Sequence, residues 1–387
     1  MTLALTPRQR TLTALRREQP DRVPKFADFS PAIYDTFIRK MGVPPPPKSP
    51  WSVWTGRPTV TFEQDLGLSD PAEYFQYDVR IVEFGETQVA YDFSEWLPRD
   101  LPMERTRVDE WGIAQVRGVD GGADYFARPL ANAQTLDDLE RFPFPDVCAD
   151  YRRAIARERI AQVQAKNCAA MSWQPFVGGT FFETAWRLRG LDTFLMDLAI
   201  NQEFAECLLD KITELSMANA CFLAECGVDI LLTGDDVGMQ TKLMISPAMW
   251  RKWLKPRYAD LIAHVKAINP ATLIFHHSDG YIEPLIPEFI EIGVDILNPI
   301  QPECMDPVKI KQQFGDRLAF WGTLGTQTTF PFASPTEINA LVKERIATVG
   351  KGGGLLVAPT HKLQADVPWE NIVAFFEAVQ EYGAYKN

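Results

Sequence analysis

From Cys168 onward, short apolar runs alternate with helical patterns at a regular rhythm, and this alternation constrains the fold more than any other feature of the chain. The runs are Cys168 to Trp173, Asp229 to Thr233, Thr272 to Phe275, Asp295 to Leu297, Leu318 to Trp321 and Leu355 to Ala358. Helix signals fall between them. Ser246-Pro247 caps one long amphipathic helix, and Ser334-Pro335-Thr336-Glu337 is a capping box for another. Repeated strand–helix units build a parallel sheet with helices packed on it. Adding strands near Val23 and near Tyr77 brings the count to about eight, the number that closes a barrel. The expected fold is α/β, a (β/α)8 TIM barrel. With 387 residues, 46% of them hydrophobic, and no clear linker, the expectation is one elaborated barrel domain over residues 1–387.

Two embellishments precede the regular part. Thr6-Pro7-Arg8-Gln9 is a capping box with proline at the first helical position, which starts an N-terminal helix running to about Glu18. Two short alternating segments around Asp109-Glu110-Trp111-Gly112, within Glu104 to Val119, predict an inserted β-hairpin. Between these features, Pro44 to Pro47 forms an extended connection, and Thr135-Leu136-Asp137-Asp138 opens a further helix.

Composition excludes several functions. A net charge of −12 argues against nucleic acid, which needs clustered Lys and Arg to neutralise phosphate. No uninterrupted apolar run reaches the roughly 18 residues of a membrane span. The N-terminus lacks the pattern of a secretion signal. The six cysteines show neither a CxxC pair nor a disulfide framework, which suits reduced core residues in a cytoplasmic protein.

In a barrel of this kind the residues just past the strands converge on one mouth. Here they are Asp28, Asp78, Trp173 and Gln174, Asp235 and Asp236, His277 and Asp279, Asn298 and Gln301, Thr323 and Gln327, and His361. His277, Asp279 and His361 can supply a site of two histidines and one carboxylate with an open fourth position, the pattern of a catalytic zinc. The alternative is two neutral hydrogen-bonding imidazoles with Asp279 fixing a ring. Of the adjacent carboxylates, Asp236 is assigned to the pocket, as a fourth ligand or a general acid/base; the alternative is a helix-start or turn aspartate. Strand alternation turns His276 the other way, into packing. His264 falls in a helix as a surface or groove residue. Trp173, Trp186 and Trp321 can form an apolar pocket for a flat substrate, with Gln301 as a polar contact, or they can be barrel core. Glu183 either faces the mouth or starts a helix. Gly322-Thr323-Leu324-Gly325 follows the seventh strand, where barrels often bind phosphate, but it fits neither a dinucleotide fingerprint nor a P-loop, and tight-turn glycines are the preferred reading.

The chain resembles the uroporphyrinogen decarboxylase superfamily over almost its whole length. The resemblance is carried by Arg17-Glu18-Gln19-Pro20-Asp21-Arg22-Val23-Pro24, Asp236-Val237-Gly238, His277-Ser278-Asp279-Gly280, Gly293-Val294-Asp295-Ile296-Leu297-Asn298-Pro299, Phe320-Trp321-Gly322 and Ala358-Pro359-Thr360-His361. It implies a (β/α)8 barrel and one of two chemistries, cofactor-free decarboxylation of porphyrinogen acetates or methyl transfer to or from a corrinoid with zinc activating the substrate heteroatom.

Decarboxylases of the family carry an arginine-rich segment after the first strand, where this chain reads Lys25-Phe26-Ala27-Asp28-Phe29-Ser30-Pro31. Asp78 and His361 fall near their active-site aspartate and histidine, while their tyrosine and serine positions correspond to Trp186 and Asp236. A pocket that gains a carboxylate and loses arginines is a poor host for a polyanion. Thiol-methylating members use His-x-Cys and a later cysteine, where this chain has His277-x-Asp279 and His361. Carboxylate and imidazole make a harder donor set, suited to polarising an ether, alcohol or carboxylate oxygen.

The resemblance therefore implies a methyltransferase that moves a methyl group from a small substrate, such as a methoxylated one, to a corrinoid on a partner protein, an O-demethylation. His277, Asp279 and His361 would be its zinc ligands, Asp236 and Asp78 its catalytic carboxylates, and a homodimer its assembly by analogy. The rivals are a cofactor-independent decarboxylase of a smaller acid, using Asp78 and His361, and a non-catalytic binding barrel.

Overall fold

The computed structural model describes residues 4–44, 70–82, 84–85, 87–118, 124–172 and 176–385. Its strands are β1 (Val79–Val82), β2 (Thr106–Val108), β3 (Ala114–Val116), β4 (Tyr125–Ala127), β5 (Ala169–Ser172), β6 (Ile230–Gly234), β7 (Leu273–His277), β8 (Ile296–Asn298), β9 (Ala319–Trp321) and β10 (Leu355–Leu356). Seven of them form one parallel sheet in the order β1-β5-β6-β7-β8-β9-β10, with helices in every crossover.

The edges of this sheet meet on the segment Pro24–Phe26. On one side Asp78 N donates to Lys25 O (3.2 Å). On the other, Phe26 N donates to Val357 O (3.3 Å) and Val357 N to Pro24 O (3.0 Å). This is the eighth stave expected near Val23. It pairs as a single bridge, Lys25 with Val357, because Pro24 has no N–H to extend the ladder.

Alternation along the strands sorts side chains into two rows. Val79, Ala169, Met171, Ile230, Leu273, Phe275, Ile296, Ala319, Trp321 and Leu356 fill the barrel interior with Leu15. Ile274, Leu297, Phe320 and Leu355 belong to the larger core shared with the helices. On β7 this places His277 in the interior row, above Leu273 and Phe275, and turns His276 outward. His276 packs there against Tyr258 and Phe289.

The helix Pro7–Leu15 closes the N-terminal end of the barrel. Its capping box is formed, with Thr6 accepting from Gln9 N, and Gly354 N donates to Ala14 O at 2.8 Å. A recurrent device operates at this end. Asp78, Asp229 and Asp295 each stand just before a strand, and each accepts a backbone N–H from the neighbouring stave: Lys25 N (3.0 Å), Ala170 N (3.0 Å) and Ile274 N (2.8 Å). Each also meets a cation, Arg10 and Arg22 for Asp78, Arg8 for Asp229 and Lys266 for Asp295. These aspartates staple adjacent strands where the sheet begins.

Two local expectations change. The inserted hairpin is a three-stranded antiparallel sheet, β2-β3-β4, because Tyr125–Ala127 adds to β3 beyond the Val119 boundary. Arg152, fully buried, ties this insert to the helix Asp150–Ala165 through Glu110. The single helix expected after Ser246 is two, Pro247–Trp253 and Lys255–Ile268, since Pro256 offers no N–H to the Lys252 carbonyl. Of the extended connection Pro44 to Pro47, all beyond Pro44 lies outside the described residues.

Candidate metal centre

His277 ends the interior row of β7, and the turn Ser278-Asp279-Gly280 folds the chain back over the mouth. Gly280 takes φ +84°, and a Cβ there would lie 2.7 Å from Met239 O, so only glycine fits. The turn is laced to its neighbours on both sides. Asp279 N donates to Asp236 Oδ1 (2.7 Å) and Val237 N to Ser278 Oγ (3.1 Å), both after β6. Ser278 N donates to Asn298 O (2.9 Å) and Gly280 N to Gln301 Oε1 (3.0 Å), at and after the end of β8.

This lacing gathers His277, Asp279 and His361, whose ligand atoms all lie within 4.8 Å of one another. His277 Nε2 and His361 Nε2 are each 3.9 Å from Asp279 Oδ2. Tetrahedral zinc with bonds near 2.0–2.1 Å holds its ligands about 3.3 Å apart, so the two His–Asp pairs would close by roughly 0.6 Å and the widest pair by up to about 1.5 Å to take the metal. His361 is half-exposed at the rim, which leaves an open approach. Asp236 Oδ1 stands 3.6 Å from His277 Nε2.

Behind them lies Glu183, at the start of the helix Phe182–Arg189. Its Oε2 accepts from Asp236 N (3.2 Å) and its Oε1 pairs with Arg187 Nη2 (3.2 Å). The mouth is thus a concentration of negative charge. Burial would push the His277 imidazole down, but Asp279, then Asp236, the Asn298 hydrogen bond and Glu183 outweigh it and lift the group to about 9. Burial, followed by Asp236, pushes the Glu183 carboxyl up. The Asp279 carboxyl is also raised, by burial against the pull of His277. A bound divalent cation would reverse this balance by neutralising the carboxylates and taking the imidazoles in their neutral form.

The structure therefore brings His277, Asp279, His361 and Asp236 to one place. Asp235 faces away, fully buried, and accepts from Glu183 N (2.8 Å), Phe181 N and Tyr258 Oη (2.5 Å). It holds the helix that carries Glu183.

The remaining assignments separate. Asp78 does not reach the mouth. It precedes β1, at the opposite end of the barrel, locked by Arg10, Arg22 and Lys25 N. Trp321 is interior core, edge-on to Phe26 and Phe275. Gln301 spends its amide oxygen on Gly280 N. Trp186 lies one turn beyond Glu183, with the guanidinium groups of Arg187 and Arg128 at 4.8 and 5.2 Å from its ring. Trp173 and Gln174 lie outside the described residues. His264 is an exposed helix residue. Gly322, at φ +80° against Pro359 O, is a turn glycine.

Fold and mouth together define a class, a (β/α)8 barrel with a metal-capable cluster past its strand ends. The chain belongs to the uroporphyrinogen decarboxylase (URO-D) family, whose model matches residues 114–382. It is similar to a uroporphyrinogen decarboxylase of Actinobacillus succinogenes, with 22% identity over 68% of this chain and 72% of that one. A uroporphyrinogen decarboxylase of Coxiella burnetii is 24% identical over 45% of this chain and 46% of its own length. Among solved structures, a methyltransferase from Methanosarcina mazei shares the fold, with a TM-score of 0.65, 20% identity and coverage of 98% of this chain and 99% of that one.

Proposed function

We propose that this chain is a methyltransferase that removes a methyl group from a small, methoxylated molecule and delivers it to a corrinoid carried by a partner protein. The observation that carries the reading is the convergence of His277, Asp279 and His361 within 4.8 Å at the open end of the barrel. The full-length likeness to a solved methyltransferase supports the same branch of the family.

These three residues would hold zinc, which when bound supplies a Lewis acid for the ether oxygen, whose leaving charge is otherwise hard to accommodate. Asp279 is held for this by its N–H bond to Asp236, and the turn around it by Gln301. Asp236 sits beside His277 Nε2, placed to exchange a proton with the departing oxygen. Glu183 anchors Asp236 from behind.

The decarboxylase alternative asks Asp78 and His361 to share a pocket, yet Asp78 precedes β1 and His361 follows β10, at opposite ends of the barrel. The three carboxylates at the mouth also disfavour an acidic substrate.

The test is metal content of protein purified without a tag, compared with His277→Ala and His361→Ala. Near-stoichiometric zinc in the wild type, lost from both variants, followed by methyl transfer to a corrinoid acceptor, is the expected result. A wild type that binds no metal after zinc is supplied refutes the reading.

A further inference from the structure

The side chain behind His277 decides which of its two nitrogens can serve as a ligand. Asn298, last residue of β8, lies with its amide 2.6 Å from His277 Nδ1 and 2.7 Å from the Trp321 carbonyl. A carbonyl oxygen can only accept, so the end of the Asn298 side chain facing Trp321 must be its NH2. The other end, facing His277, is then Oδ1, which also can only accept. His277 must therefore donate from Nδ1, so in the neutral ring it is Nε2, on the side of Asp279 and Asp236, that carries the lone pair.

The arrangement is rigid. Asn298 is buried, and turning its amide over would set Oδ1 against the Trp321 carbonyl, two acceptors 2.7 Å apart, so the orientation is fixed. Its backbone is committed as well, since Asn298 O accepts from Ser278 N at 2.9 Å.

We propose that Asn298 is a positioning residue that fixes the Nδ1–H tautomer of His277 and thereby makes Nε2 the metal-facing nitrogen. The inference rests on the metal reading given above for its consequence, but the tautomer itself is a property of the protein alone. A ligand histidine whose second nitrogen is held by an outer partner is more basic and better oriented, and loss of such a partner typically lowers metal affinity about 10–100-fold.

The test uses the full chain labelled with 15N-histidine. Only four histidines contribute, and His277→Ala identifies the relevant signals. Long-range 1H–15N spectra of metal-free protein, followed through a pH titration to the neutral form of the His277 ring, should show Nδ1 protonated and Nε2 bare in that form. In Asn298→Ala the ring should lose this single form and populate both tautomers. A protonated Nε2 in the wild type, or an unchanged spectrum in Asn298→Ala, overturns the proposal whether or not the protein binds metal. Zinc titration then reads the consequence. Affinity should fall about 10–100-fold in Asn298→Ala and less in Asn298→Gln, which keeps an amide to accept from Nδ1. Equal zinc affinity in wild type and Asn298→Ala, both loaded, also overturns it. A wild type with the predicted tautomer and no zinc binding would refute the metal reading while leaving the tautomer assignment standing.

Discussion

Replacing Asp78 separates a structural from a catalytic role for this residue. Its carboxylate is completely buried and accepts from Arg10 Nη1 (2.9 Å), Arg22 Nη2 (2.9 Å) and Lys25 N (3.0 Å). Asp78→Ala leaves both guanidinium groups without this partner and orphans a backbone N–H. Removing one member of a buried ion pair costs about 3–5 kcal/mol. Two facts hold the cost toward the middle of that range. Arg10 keeps Asp21, at 2.7 Å, and the Leu5 carbonyl, and Arg22 is partly exposed and can hydrate. We expect a loss of about 4 kcal/mol for Asp78→Ala and about 2 kcal/mol for Asp78→Asn, which retains an acceptor for Lys25 N.

With about 2 cal/mol/K of unfolding entropy per residue, a chain of 387 residues converts these losses into drops in Tm of roughly 5 °C and 2–3 °C. The assay is thermal unfolding, paired with zinc content and methyl transfer per folded molecule at a temperature well below both transitions. The variants should be less stable, yet bind metal and turn over like the wild type. An Asp78→Asn protein with unchanged Tm and abolished activity would refute the placement of Asp78 as a strand staple.

Two further perturbations test the core and its titrating groups. Trp321→Ala should cost about 3–5 kcal/mol by opening a cavity between Phe26 and Phe275; urea unfolding that moves by less than about 1 kcal/mol would mean that the indole faces the mouth rather than the core. Burial, and then Glu183, push the Asp235 carboxyl up to about 7 despite its donors Tyr258 and Glu183 N. Because its folded value lies above the ordinary carboxylate range, the folded state binds this proton more tightly, so stability from Asp235 grows as pH falls from 7 toward 4 and is lost as pH rises through 7. Asp235→Asn should flatten that dependence; equal shifts of the urea midpoint between about pH 5 and pH 8 in wild type and variant would contradict it.

The sequence made the mouth of the barrel legible because the two periodicities that define it are local. Period two along Leu273–His277 puts His277 on the inner face and His276 on the outer one before any tertiary contact is known. The apolar runs ending near residues 233, 275 and 358 mark where the chain leaves the sheet, so Asp236, Asp279 and His361 follow as loop residues. The sequence placed Asp229 and Asp295 at the starts of their apolar runs, but it did not convey which end of a strand Asp78 serves. Asp78, Asp229 and Asp295 stand before strands, and Asp236 and Asp279 stand after them, yet all are acidic residues flanking apolar runs. For Asp78 the run Val79–Val82 is only four residues long and is interrupted by Arg80, so its direction from the aspartate was ambiguous.

The same asymmetry explains why Asn298, Gln301 and Glu183 were harder to assign than the ligands they support. A ligand is recognised by residue type and by its place past a strand. A residue that orients it is recognised only by what lies opposite, here the Trp321 carbonyl for Asn298, Gly280 N for Gln301 and Asp236 N for Glu183. Those partners come from other staves, 21 to 53 residues away in the chain, and no local pattern encodes them. The barrel resolves this by register. Pairing His277 with Asn298 across β7 and β8 sets the amide beside the imidazole, so the orientation of the histidine follows from the fit of one strand against the next.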